Sequence, residues 1–188
     1  SLFWILSGIA VGLGVMTKGV VGMIPLPVIA IYEIYLFLFA EQKISWNLVK
    51  NYFLFFLYFL IIVSPWHLYM HLHFGKEFWN NYLGYHVLGR AFSNAEGKSQ
   101  PFFWYLIVLK VSMRIWFVAL IPAFFYGVFK AAKKENIWVF FTIWSLITFL
   151  FFSISKSKLV WYIIPIYPVL TMFVGVFIRD AVSFVLAR

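Results

Sequence analysis

Apolar residues follow one another along this chain in long runs that are interrupted by short polar segments. Because a helix of about 20 apolar residues crosses about 30 Å of hydrocarbon, runs of this size are typical of membrane spans. The shorter runs require longer true helices or local adaptation of the bilayer. The pattern predicts an all-α polytopic transmembrane helical bundle of about six to seven spans. The six runs are Leu2–Met16, Val20–Ala40, Tyr52–Tyr69, Ile115–Phe129, Ile137–Phe152 and Tyr162–Ile178, and a seventh could begin at Ala181–Ala187.

The composition agrees with a membrane protein. Hydrophobic residues make up 64% of the 188 positions, charged residues only 11%, and the mean hydropathy is +0.94. A soluble domain carries about 25% charged residues. The chain contains no cysteine, so disulfides, thiolate nucleophiles and Cys-ligated metals are excluded within it. It begins inside an apolar run, and we therefore expect an internal fragment of a longer polytopic protein, with residues 1–188 forming part of a single module.

Basic residues lie between the apolar runs, and the net charge is +9. This spacing suits anionic lipids or lipid phosphates better than nucleic acid. Cytoplasmic loops usually carry the excess of Lys and Arg, but alternating crossings place seven cations on one side and eight on the other. The charge rule therefore does not decide the orientation. The side with eight cations contains Lys18, Lys76, Arg90, Lys98, Lys110, Arg114, Lys156 and Lys158.

Two lysines, Lys156 and Lys158, occupy the junction Ser153–Pro168 between two apolar runs. They could simply end a helix, or they could hold an anionic head group. Lys18 in Thr17-Lys-Gly19 leaves the same choice open between a lysine that snorkels at a helix end and a cation that faces a lipid phosphate.

The one long polar segment, residues 71–101, is expected to be a loop that contains short helices. Within it, Arg90 offers a planar guanidinium suited to phosphate oxygens, and His86 would share a face with it on a helical turn. An ordinary pair that makes local hydrogen bonds is the alternative. After this loop, Lys110 and Arg114 are expected to lie along the interface, before a span that starts near Ile115.

His67, His71 and His73 are weak candidates for a metal site, because the first two are four residues apart and only Glu77 is a nearby carboxylate. Hydrogen-bonded interfacial histidines are the alternative, and we predict no metal site. Only six acids occur, and no two form a convincing acid–base pair. The chain therefore has cations for a phosphate but no obvious general base.

Five segments in this order resemble the polyprenyl-phosphate-sugar glycosyltransferases. These are GT-C membrane enzymes (glycosyltransferase family 39-like) related to protein O-mannosyltransferases and the lipid A aminoarabinose transferase. The resemblance extends from Gly8 to about Pro168. It is carried by Thr17-Lys-Gly19, Pro65-Trp66, Tyr82-Leu-Gly-Tyr-His-Val-Leu-Gly-Arg90, Pro101-Phe-Phe-Trp-Tyr105 and Ser155-Lys-Ser-Lys-Leu-Val-Trp-Tyr-Ile-Ile-Pro-Ile-Tyr-Pro168.

The resemblance implies inverting transfer of a sugar from a polyprenyl-phosphate donor to a lipid, protein or glycan acceptor. It also implies a multi-pass protein of the plasma or inner membrane with an extracytoplasmic active side and loop, and no organic cofactor. The family's general base is an aspartate in a first extracytoplasmic loop that this chain lacks, so no catalytic residue is expected here. Val160-Trp161 departs from the family pattern, which leaves the substrate in doubt. The implied donor or phosphate contacts are Lys18, His86, Arg90, Lys156, Lys158 and Tyr162.

The alternative is a transporter or flippase for lipid-linked sugars, which would also place cations around a phosphate. Such proteins often contain inverted repeats and broken helices, and the sequence shows no internal repeat. A membrane scaffold without catalytic function gives no reason for eight cations on one side.

Overall fold

The structure is a computed structural model that describes residues 1–40, 43–89, 92 and 99–187. The chain divides into two compact units, Ser1–Gly89 and Arg90–Arg188. The described residues of the first unit form three α-helices, a 3₁₀ segment and a π-helical segment. They are α1 (Leu2–Lys18), the 3₁₀ segment (Gly19–Met23), α2 (Pro25–Phe39), α3 (Trp46–Trp79) and the π-helical segment (Asn80–Gly89).

Two glycines of α1 allow this helix to lie close against α3. A side-chain carbon on Gly8 would collide with the backbone of Phe55, and one on Gly12 would press on Ile62. The Gly-x-x-x-Gly spacing places both on one face, which is how membrane helices approach closely. The same contact contains the small core of this unit, formed by Val11, Val15, Phe55 and Phe59.

Helix α3 is longer than the predicted span 52–69. It continues through the three histidines to Trp79, with a kink at Gly75, whose φ of +54° favours glycine. The π-helical segment then follows directly. Residues 71–89 are therefore helical, and the helix in this segment is more extensive than the short helices that were expected.

The described residues of the second unit form four longer α-helices and a second 3₁₀ segment. They are α4 (Trp104–Met113), α5 (Trp116–Ala132), α6 (Asn136–Ile154), the 3₁₀ segment (Val160–Ile166) and α7 (Tyr167–Leu186). Helix α5 packs against both α6 and α7. In the core, the fully buried ring of Phe173 lies 5.5 Å from the ring of Trp138 and beside Gly127.

A sharp bend of 119° separates α4 from α5. Arg114 sits at the corner with a φ of +51°, which is uncommon for a residue with a side chain. The break agrees with the expectation that a span begins near Ile115, because α5 starts at Trp116.

Within the described residues, four helices are long and apolar enough to cross a membrane: Leu2–Met23, Trp46–Gly89, Asn136–Ile154 and Val160–Leu186. The bent pair α4 and α5 would make five, and α2 is apolar but shorter. The count is thus lower than the six to seven spans predicted. The seventh span suggested at 181–187 is wrong, because residues up to Leu186 extend α7. A polytopic helical membrane fold is confirmed.

Candidate functional site

The junction between α6 and the second 3₁₀ segment is organised around Lys158. This lysine is only 4% exposed. Its Nζ donates to the backbone oxygen of Gln100 at 3.1 Å and also to the backbone oxygen of Ser155. Burial lowers the pKa of the Lys158 ammonium, because desolvation disfavours the charged form. A direct phosphate contact would have to use the remaining N–H, so the phosphate role predicted for Lys158 stays a prediction.

Two further contacts fix the backbone on either side of this lysine. Ser99 and Ser157 form an isolated antiparallel bridge, and the Tyr105 hydroxyl donates to the Leu159 oxygen at 3.1 Å. Tyr105 is fully buried, so its hydroxyl needs this acceptor. The segment that carries the two lysines is therefore attached both to Ser99, which precedes α4, and to Tyr105 in the first turn of α4.

The other predicted residues of the junction are more accessible. Lys156 is exposed, and Tyr162 is half-buried, with its ring 5.6 Å from that of Phe152. Lys156 is thus the lysine of the pair whose ammonium faces the surroundings of the unit.

In the first unit, Lys18 is the exposed last residue of α1. The next residue, Gly19, has a φ of +62° and turns the chain next to the Tyr82 side chain. A side-chain carbon on Gly19 would lie 3.4 Å from the Tyr82 hydroxyl. Tyr82 is therefore a neighbour of the Lys18 turn that sequence reasoning did not select, although it opens one of the segments that carry the family resemblance.

An aromatic cluster surrounds His67 and includes this tyrosine. His67 Nδ1 lies 2.8 Å from the Val63 oxygen, which can only accept, so this nitrogen carries the proton in the neutral ring. Its Nε2 then accepts from the Tyr82 hydroxyl at 3.3 Å. The rings that lie within about 6.5 Å of the imidazole belong to Trp66, Phe78, Trp79 and Tyr82.

The three histidines make hydrogen bonds in the described part of the chain. No group of three or more His, Asp or Glu side chains is placed to hold a metal ion there. Both nitrogens of His67 are engaged, and His71 Nδ1 accepts from the Trp79 indole at 3.1 Å. The hydrogen-bonded alternative describes these two histidines better.

His86 lies on the π-helical segment, where it is exposed and its ring is 5.1 Å from that of Tyr85. Its predicted companion Arg90 lies outside the described residues. Their pairing and their phosphate role stay predictions.

No protein-family model matches the chain. The undecaprenyl phosphate-alpha-4-amino-4-deoxy-L-arabinose arabinosyl transferase of Pectobacterium atrosepticum is 30% identical over 188 residues, which is all of this chain and 32% of that protein. The corresponding protein of Aeromonas hydrophila is 29% identical over 171 residues, 90% of this chain and 30% of that protein.

A solved structure supports the same relationship. The crystal structure of ArnT from Cupriavidus metallidurans bound to undecaprenyl phosphate matches with a TM-score of 0.73 and 27% identity, covering 92% of this chain and 30% of ArnT. The chain is a relative of the GT-C lipid-phosphate-sugar glycosyltransferases. The chain spans about a third of the length of the curated proteins that it matches.

Proposed function

We propose that this chain is the donor-binding part of a membrane glycosyltransferase. The enzyme would transfer a sugar with inversion from a polyprenyl-phosphate donor to an acceptor on the extracytoplasmic side. One observation carries the proposal: nearly the whole chain resembles, in sequence and fold, a part of ArnT, which was crystallised with undecaprenyl phosphate.

The chemistry explains why cations matter in such an enzyme. Transfer breaks the bond between the sugar carbon and the phosphate oxygen, so negative charge grows on the departing lipid phosphate. Fixed cations stabilise that charge. Exposed Lys18 in the first unit and exposed Lys156 in the second are the candidate cations among the described residues, and Arg90 is a further candidate by sequence. His86 and Tyr162 are candidate neighbours of the donor.

Three of the four described acids already pair with neighbouring side chains, which fits a general base outside this chain; Glu77, on α3, is the fourth. Glu33 hydrogen bonds with Tyr52, Glu135 pairs with Lys130 at 2.9 Å, and Asp180 pairs with Arg179 at 2.7 Å. A carboxylate that activates an acceptor must reach the proton that it removes. These three carboxylates are already engaged with neighbouring side chains.

Product analysis separates the proposed transferase from the transporter alternative. The complete protein is placed in vesicles with undecaprenyl phosphate-linked 4-amino-4-deoxy-L-arabinose that is labelled in the sugar. A transferase moves the label into an acceptor and leaves undecaprenyl phosphate. A transporter moves the intact donor between leaflets, and that result would overturn the proposal.

A further inference from the structure

We infer that Lys158 is a positioning residue, whose ammonium ties the junction at 155–158 to Gln100 and thereby holds Lys156 and Tyr162 in place for the donor. The functional half of this inference rests on the proposed function. The structural half rests on the contacts of one side chain.

The burial of Lys158 is the first step. A buried ammonium is costly unless it is hydrogen bonded, and backbone oxygens are suitable acceptors. Two of its three N–H groups donate to backbone oxygens, one at Gln100 and one within the junction itself at Ser155. This lysine therefore joins two backbone segments that are 58 residues apart.

The second step concerns what else holds the junction. The Ser99–Ser157 bridge is isolated, so it is not part of a sheet. Ser155 Oγ donates to the Ser157 oxygen at 3.1 Å, which stabilises the turn locally. Among the contacts described above, the bridge and the Lys158 ammonium connect residues 155–158 to residues 99–100, and the Tyr105–Leu159 hydrogen bond holds the next residue of the chain. Removing the ammonium therefore removes one of these links.

The third step links the fixed position of the junction at 155–158 to the candidate donor contacts. Lys156 is exposed and precedes two buried residues, Ser157 and Lys158. Holding these two inside the unit fixes the point from which the Lys156 side chain leaves the surface. Tyr162 follows four residues after Lys158, where its ring rests near Phe152. Loosening the junction should therefore weaken donor binding without removing a charge that touches the donor.

The labelling rate of a thiol at position 157 measures directly how firmly the junction at 155–158 is held. The chain has no cysteine, so Ser157→Cys introduces its only thiol, at a position that is 3% exposed. In the complete protein, with any cysteines elsewhere replaced, we expect slow labelling by a charged maleimide. Lys158→Met should raise the labelling rate about tenfold, whereas Lys156→Met, the matched control, should leave it unchanged.

A second variant separates the effect of the Lys158 hydrogen bonds on the junction from the effect of its positive charge. Lys158→Arg keeps the charge, but the larger planar guanidinium does not reproduce a point-like ammonium between two carbonyls. A positioning role predicts faster labelling in this variant also. Normal labelling in both Lys158 variants, each with an unchanged melting temperature, would overturn the inference.

Binding of undecaprenyl phosphate tests the functional half. Both Lys158→Met and Lys156→Met should weaken binding about tenfold, but only the loss of a charge that faces the phosphate reduces the salt dependence of the dissociation constant. Lys158→Met should therefore keep the wild-type salt dependence, and Lys156→Met should lower it. A lowered salt dependence in Lys158→Met would show that Lys158 contacts the phosphate directly, and would overturn the positioning role.

If the wild type does not bind undecaprenyl phosphate, the proposed function fails. The labelling rates alone then decide the role of Lys158.

Discussion

The contact between Gly127 and Phe173 gives the sharpest test of the core packing in the second unit. A side-chain carbon built on Gly127 would overlap the edge of the Phe173 ring and lie 3.0 Å from Trp138. The Phe173 side chain is fully buried, so the ring has little room to withdraw. Gly127→Ala should therefore destabilise the packing of α5 against α7.

The magnitude follows from comparing this substitution with a matched one. Gly175 lies on α7, and a side-chain carbon there would meet no atom within 4 Å. Both substitutions gain about the same helix propensity, about 1 kcal/mol for Gly to Ala, so that contribution cancels between them. The difference left is the cost of overpacking, about 1–3 kcal/mol. Gly127→Ala should thus have the lower free energy of unfolding by that amount.

The assay is a denaturant titration of the complete protein in detergent, monitored by aromatic fluorescence. A double-mutant cycle adds the cause: in a Phe173→Ala background the ring is absent, so Gly127→Ala should no longer destabilise. Equal stabilities of Gly127→Ala and Gly175→Ala would refute the packing described for this core.

Two further substitutions test other contacts. Gly8→Ala should destabilise the first unit by about 1–3 kcal/mol relative to Gly84→Ala, because only the former collides with the Phe55 backbone; equal unfolding free energies would contradict the close approach of α1 to α3. Tyr105→Phe should cost about 0.5–1.5 kcal/mol, because the Leu159 oxygen loses its donor, and the same titration would show no change if that hydrogen bond were absent.

The apolar runs were sufficient to predict helices in six places, because burial in lipid demands long apolar segments whatever the tertiary contacts. Their ends were less predictable. Helix α3 continues past Tyr69 through a polar, histidine-rich stretch, where the local hydrogen bonds of His67 and His73 to carbonyls four residues earlier accompany the helix. Composition alone assigned that stretch to a loop.

The candidate site shows a similar limit. The sequence indicated the junction at 153–168 but could not distinguish Lys156 from Lys158, since both are lysines in a polar interruption. Their difference depends on Gln100, which lies 58 residues before Lys158 and supplies its acceptor. By contrast, the Gly8-x-x-x-Gly12 spacing was visible in the sequence and would have predicted the close approach of α1 to another helix.

The proposal that a cation of this chain serves the donor phosphate is tested most directly by the rate at which the complete protein transfers labelled sugar from its undecaprenyl phosphate donor. If Lys156 faces the donor phosphate, Lys156→Met lowers this rate at least about tenfold, which corresponds to about 1.4 kcal/mol of lost stabilisation. The control Lys133→Met removes a lysine in the turn between α5 and α6, whose ammonium lies 4.3 Å from the Phe129 ring centroid, and should leave the rate unchanged. Equal rates for Lys156→Met and the wild type would show that Lys156 does not serve the donor phosphate.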